Sequence, residues 1–282
     1  MLAVRLWRLR FVSILSAVML AALAGACGRD DDGSGLESAD GGLVYVAGTR
    51  AAPPLRAPGP GAGAWNSTPW TMTLWSEAQA IRAYLATDFA RQKYGREACE
   101  AFSHYFDNTG LIWTFDAGKL GQDVPHVGAV MDREIARAAE FAREIAREIT
   151  GANNGRTVTE FTSREALPGR VERAQSLNWY LAVADFSYYV TGRVERDACG
   201  HGCARAEIIF HVWDRYDWDP GPIVRIHTPA GPVDVDQDHV GEFHRQGIAK
   251  EFTSLGFKRF NFELRDLERT TGLEPATSSL GS

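Results

Sequence analysis

Asp214-Arg215-Tyr216-Asp217 sets two carboxylates and a phenol within four residues, and His244-Arg245 follows after 26 intervening residues. These residue types can run phosphoryl chemistry. Carboxylates hold a divalent cation that polarises a pyrophosphate, a histidine serves as acid or base, and an arginine grips phosphate oxygens through paired hydrogen bonds. Side chains alternate along a strand, so Asp214 and Tyr216 share one face and Asp217 takes the other. A working site must therefore sit where the strand ends and its faces converge. The plainer alternative is a set of strand-end and helix-surface residues with no chemistry.

Two other clusters invite a chemical reading. Asp234, Asp236 and Asp238 resemble the opening of an EF-hand loop, but His239 stands where that loop needs glycine and Arg245 where it needs glutamate. Asp238 as a helix cap accounts for the cluster. Cys199-Gly200-His201-Gly202-Cys203 lies between two strand-like segments. A short Gly-containing hairpin loop can bring its flanking cysteines to disulfide spacing. A zinc site with His201 as third ligand lacks a fourth. A Cys199–Cys203 disulfide is therefore expected, leaving Cys99 as an unpaired core residue. The motifs G-x-S-x-G, H-E-x-x-H and G-x-x-x-x-G-K-[ST] are absent.

The N-terminus fixes the expected compartment. Arg5, Arg8 and Arg10 precede an apolar run from Phe11 to Ala26 that ends in small residues. That order is a signal peptide, and the run is shorter than the roughly 20 apolar residues of a spanning helix. Leu23-Ala24-Gly25-Ala26-Cys27 resembles a bacterial lipobox, whose cysteine is acylated and becomes the new N-terminus, although Leu is usual where Ala24 stands. Ala24-Gly25-Ala26 also makes an A-x-A site for ordinary signal peptidase. Export is expected, with Cys27 as the lipidation site and membrane attachment through the lipid. Loss of residues 1–26 removes three arginines and no acid, moving the formal charge from −6 to −9. So acidic a chain offers no footprint for nucleic acid. An oxidising compartment also suits the disulfide.

The elements that must position these groups follow from periodicity. Residues 27–69 are rich in Gly, Ala and Pro and are expected as a flexible tether, with Leu43-Val44-Tyr45-Val46 as a stray strand. A globular domain is expected over residues 70–266, for which a hydrophobic content of 45% supplies an ample core. One helix is expected to begin near Ser76 and carry Ile81, Tyr84, Leu85 and Phe89 on one face. A second follows Gly95, with Cys99, Phe102 and Phe106 inward, and Leu111 to Phe115 then reads as a strand. The clearest element is a helix from about Val127 to Thr150, striped by Met131, Ile135, Ala138, Ala142, Ile145 and Ile149. Beyond it the period falls to two. Strands are expected at Thr157–Thr162, from Leu181 through Val183 to Thr191, at Ala204–Trp218, Ile223–Ile226 and Phe257–Leu264. A last helix is expected from about Val240 to Leu255. This order predicts an α+β fold, with a helical N-terminal half packed on a mainly antiparallel sheet from the C-terminal half. Residues 267–282 are expected to be a disordered tail. In one frame a reverse-complemented tRNA T-arm encodes its Gly272-Leu273-Glu274-Pro275.

Two resemblances bear on function. Asn178-Trp179-Tyr180, Val212-Trp213-Asp214-Arg215-Tyr216-Asp217-Trp218-Asp219 and the segment from Phe243 to Phe252 resemble an uncharacterised group of bacterial exported proteins. That likeness covers roughly Phe102 to Phe262 and implies no activity. Asp214-Arg215-Tyr216-Asp217, with His244-Arg245 after it, also resembles the D-x-Y-D and His-Arg signature of colicin-M-type bacteriocins, which cleave the undecaprenyl–peptidoglycan precursor. In that family the His-Arg pair lies five residues on, so the separation here is a departure. The resemblance implies Asp214, Tyr216, Asp217, His244 and Arg245 as catalytic residues, with a divalent cation. Two readings result. The first is a non-enzymatic envelope module with no cofactor, binding a protein or glycan partner. The second is a phosphodiester hydrolase acting on a lipid-linked cell-wall precursor. If Cys27 carries the anchor, Cys27→Ala moves the protein from the membrane fraction to the soluble fraction. Processed wild-type chain that stays membrane-bound yet shows no acyl mass by mass spectrometry would refute the anchor.

Overall fold

The computed structural model describes residues 42–57, 59–151, 158–196, 203–219, 224–228, 231–235 and 237–265. The expected leader, Cys27, Cys199 and residues 267–282 lie outside them, so the expected Cys199–Cys203 pairing does too. Among the described residues there are seven helices: α1 (Met72–Leu85), α2 (Asp88–Tyr94), α3 (Arg96–Phe106), α4 (Ala117–Asp123), α5 (Pro125–Gly151), α6 (Leu177–Val183) and α7 (Gln237–Arg245). The main sheet has seven strands: β1 (Tyr45–Ala47), β2 (Trp113–Asp116), β3 (Val158–Ser163), β4 (Leu167–Arg170), β5 (Asp185–Arg196), β6 (Ala204–Tyr216) and β9 (Phe252–Leu264). Their order is β1-β3-β5-β6-β9-β2, with β4 on β5, and only the β2–β9 pair is parallel. A separate hairpin joins β7 (Val224–Thr228) to β8 (Gly231–Val235). The fold is α+β, with most helices in the N-terminal half and most of the sheet in the C-terminal half.

The sequence periods explain the layers. The α5 stripe is buried at Met131, Ile135, Ala138, Ala142, Ile145 and Ile149, and α5 lies across β5 and β6. On β6, Ile208, Phe210 and Val212 are fully buried on the helix side. Glu207, Ile209, His211, Trp213 and Arg215 take the outer face, as strand alternation requires. The helix-side core closes near the end of β6, where Tyr216 stacks on Phe252 at 4.7 Å. Tyr105 and Trp218 complete that cluster, with Trp218 centred 5.9 Å from both Tyr105 and Phe102. Cys99 is a buried free thiol, and burial pushes its pKa up to about 11, far from thiolate reactivity.

Several expectations are corrected. Residues 42–69 do not hang free. The β1 segment pairs with β3, Leu43 is buried, and its N–H donates at 3.1 Å to the fully buried Glu134 carboxylate. The chain then straps the outer sheet face: Arg50 pairs with Glu207 on β6, and Gly61 and Ala62 are buried against the strand end. Composition predicted a tether because the strap offers few apolar side chains. It is held instead through its backbone N–H and C=O groups, which carry no compositional signal. The segment around Leu181 and Val183 is helix α6 rather than strand, capped by the Ser176 side chain. The first helix starts at Met72, before Ser76. The last helix ends at Arg245, because Gly247 turns with φ +68°. From Phe252 the chain is already strand, in register with β6 from Tyr216 onward.

Leu43→Ala tests the packed N-terminal segment. Truncating a buried leucine costs roughly 2–5 kcal/mol, and the low end is expected for one at the domain margin. A denaturation midpoint equal to that of the wild type would restore the tether reading.

Candidate functional site

The site sits where β6 runs out. Tyr216 is its last residue, and Asp217, Trp218 and Asp219 continue without strand pairing. The chain returns into the start of β9 through α7 and the turn after it. Between these ends and the strap lies a cleft of about 440 Å³. Its working side chains are Trp213 and Arg215 from β6, Asp217 just beyond it, His244 from α7, and Lys250 and Glu251 from the approach to β9, with Trp65 of the strap at its edge.

Glu251 organises the cleft. It is buried at 5% exposure. Its Oε1 accepts from the N–H groups of Ala62 at 2.7 Å and Trp218 at 3.0 Å. Its Oε2 lies 3.8 Å from the Arg215 guanidinium. Asp219 accepts from the Gly61 N–H at 2.8 Å. Gly61 has φ +60°, and a Cβ there would come within 2.5 Å of the Glu251 carboxylate. The close approach of strap to carboxylate therefore requires glycine.

His244 is buried, and both ring nitrogens are engaged. Nδ1 accepts from the Glu251 N–H at 3.1 Å. An accepting Nδ1 makes the proton-bearing nitrogen Nε2, which donates to the Gly63 carbonyl at 3.2 Å. Burial lowers its pKa, helped by the charges of Arg215 and Lys250 and opposed by Glu251. Arg245 points away from the cleft. Its Nε donates to Glu242, one terminal nitrogen to the Ala62 carbonyl and the other to the Asp238 carbonyl.

Asp217 is the electrostatically unusual group. Its pKa is pushed up to about 7, first by burial and then by the charges of Asp219 and Glu251, with Arg215 opposing. Asp214 is held well above the ordinary carboxyl range, again by burial first and by Asp217 second. It lies on the helix side of β6 with Tyr216, opposite Ser254.

Of the five residues singled out in the sequence, then, the fold brings Asp217 and His244 to one cleft. Asp214 and Tyr216 face the other side of the sheet, and Arg245 braces the strap. Arg215, Lys250, Glu251 and the two tryptophans were missed. Arg215 stood inside the motif, and its alternation with Asp214 already placed it on the outer face with Trp213. Lys250 and Glu251 were hidden inside an expected helix. Among the described residues no group of three or more His, Cys, Asp or Glu side chains is arranged to hold a metal ion. The divalent cation that the resemblance implies therefore has no such ligand set among them.

No family model matches the chain, and no curated protein matches it. Among solved structures it is similar to the bacteriocin syringacin M from Pseudomonas syringae pv. tomato DC3000. Identity is 12%, the TM-score is 0.24, and the likeness covers 59% of this chain and 52% of that one. The chain thus spans about half the length of syringacin M. A likeness at this level establishes neither a common fold nor a common activity.

The Asp217 pKa makes a signed prediction. Its folded value lies above its unfolded value near 3.8, so the folded state binds the extra proton between them. That group's favourable contribution is full below about pH 4 and is lost as pH rises toward about 7. Asp217→Asn keeps the uncharged form throughout. It should match the wild type near pH 4 and exceed it above pH 7 by on the order of 2 kcal/mol, after allowance for partial solvent screening. Urea denaturation at both pH values measures this, and a variant less stable than the wild type at pH 8 would contradict the burial account.

Proposed function

We propose that the cleft hydrolyses a phosphodiester or pyrophosphate bond of a lipid-linked cell-wall precursor, in an exported protein held at the membrane by Cys27. The observation that carries this reading is a single one. A carboxyl with a pKa near neutrality, Asp217, shares a cleft with the cations Arg215 and Lys250. A side chain tuned to the operating pH in a cleft is the signature of acid–base work. Two cations beside it supply oxyanion stabilisation for a phosphoryl group.

The roles differ from those the signature implies. Asp217 is the proton carrier. A water oxygen bonds to phosphorus, the P–O bond to the leaving group breaks, and protonated Asp217 gives its proton to the departing oxygen. The water proton passes to solvent. Arg215 and Lys250 hold the non-bridging oxygens. His244 has no free nitrogen while Gly63 is bonded to it, so it is a positioning residue that fixes the strap over the cleft.

The second reading, a binding module for a glycan or protein, is favoured by that same occupancy. With His244 and Arg245 consumed by structural hydrogen bonds, the remaining Trp65, Trp213, Arg215 and Lys250 make an aromatic and cationic surface suited to a ligand that is not turned over.

Turnover separates the two. The purified protein given undecaprenyl-linked peptidoglycan precursor should release a phosphorylated product. Asp217→Asn should cut that rate by about 10²–10⁴-fold while leaving precursor binding intact. Binding without product in the wild type would replace the hydrolase with the module. Turnover undiminished in Asp217→Asn would remove Asp217 from the chemistry.

A further inference from the structure

Beside the cleft, segments that meet its Gln246–Lys250 edge carry large apolar side chains that the fold leaves uncovered. Trp65 is 43% exposed, Trp70 51%, Met72 61%, Leu111 65% and Ile112 55%. They come from the strap, the start of α1 and the loop after α3, and each lies on or within two residues of a residue that contacts one turn, the segment from Gln246 to Lys250. Thr71, between Trp70 and Met72, bonds through its N–H and hydroxyl to the Gln246 side chain at 2.9 and 3.0 Å. Asn66, next to Trp65, abuts Gly247. Asn108 links the loop to the same turn, donating to the Gly247 carbonyl at 2.6 Å and accepting from the Trp65 indole at 3.1 Å. Gly110, beside Leu111, packs against the Lys250 side chain, whose ammonium lies 4.6 Å from the Trp65 ring centre.

Burying apolar surface is the main favourable term in folding, so a cluster of this kind left in water marks a surface with a second environment. Its chemistry selects one. Aliphatic tips enter the acyl boundary of a bilayer, tryptophans sit at headgroup level, and a lysine among them meets lipid phosphates. Chain length allows contact. Cys27 lies fifteen residues before Gly42, a reach of at most about 50 Å when extended. An acylated Cys27 would hold this face at high local concentration over the membrane.

We infer that the apolar rim around the Gln246–Lys250 turn is a membrane-docking surface that lays the cleft mouth on the outer leaflet. Trp65 and Lys250 belong to both rim and cleft, so a docked domain receives its ligand directly from the lipid headgroup layer. This deepens the hydrolase reading and rests on it only for the orientation of the substrate.

The test uses the exported chain carrying Cys27→Ala, with leader removal verified by mass, so that no acyl chain contributes. The probe is vesicles of phosphatidylethanolamine and phosphatidylglycerol with no cell-wall precursor present. At excess lipid the protein should co-sediment with them, more weakly than the acylated chain so that it still washes off cell membranes, and its tryptophan emission should shift to the blue. Two double variants, Trp70→Ser with Met72→Ser and Leu111→Ser with Ile112→Ser, should each weaken partition by about tenfold. A control pair at β1, Val44→Ser just before the strand with Val46→Ser within it, should leave it unchanged. Melting temperatures near that of the wild type would show that all three remain folded. No vesicle binding, or binding equal in the rim variants and the wild type, overturns the inference. Self-association abolished by the rim variants, without vesicle binding, assigns the face to a second copy and also overturns it. None of these outcomes depends on turnover, so a failed hydrolase assay leaves the docking result readable.

Discussion

A carboxyl group sealed from water needs hydrogen-bond donors around it, and Glu251 meets that demand mainly with backbone. Its two oxygens reach the N–H of the strap at Ala62, the N–H of the β6 exit at Trp218 and the guanidinium of Arg215. Its own N–H is taken by His244. One residue thus joins three pieces of chain, the strap, the end of β6 and α7. The cleft exists because these pieces converge on it. Without the strap, one Glu251 donor, one Asp219 donor and the His244 Nε2 acceptor would all be lost together.

The same arrangement explains why Asp217 is unusual. Asp217 is buried in the cleft and faces the charges of Asp219 and Glu251, with Arg215 and a backbone hydrogen bond opposing them. Holding its proton is the cheapest way to relieve that repulsion. The cost is borne by the folded state near neutral pH.

The strap and the rim belong to one construction. The strap crosses the outer sheet face, pins itself by hydrogen bonds to Asp219, Glu251, His244 and Arg245, and leaves Trp65 at the edge. The α7 helix and the turn after it hold the strap from one side and the loop after α3 from the other. The polar cleft and the apolar rim are thereby set side by side. This arrangement suits a ligand with a polar head and an apolar tail.

What the sequence determined by itself was whatever local periodicity encodes. The stripe from Met131 to Ile149 specified α5, and the alternation through Ile208, Phe210 and Val212 specified β6 and its inner face. The order of helix-like and strand-like segments specified the α+β class. The types of Asp217 and His244 marked them as candidates, and the motif placed Asp217 near a strand end. Leu181 and Val183 misled because a short apolar run has no period long enough to tell helix from strand. Only the tertiary structure decided which candidates meet. Asp214 and Tyr216 fall on the core side of the sheet, because a two-residue period puts neighbours on opposite faces. Arg245 is spent on the Ala62 carbonyl, and Glu251 gathers backbone groups from segments up to 189 residues away. Contacts of that range run through N–H and C=O groups common to every residue, so residue type alone carries no record of them.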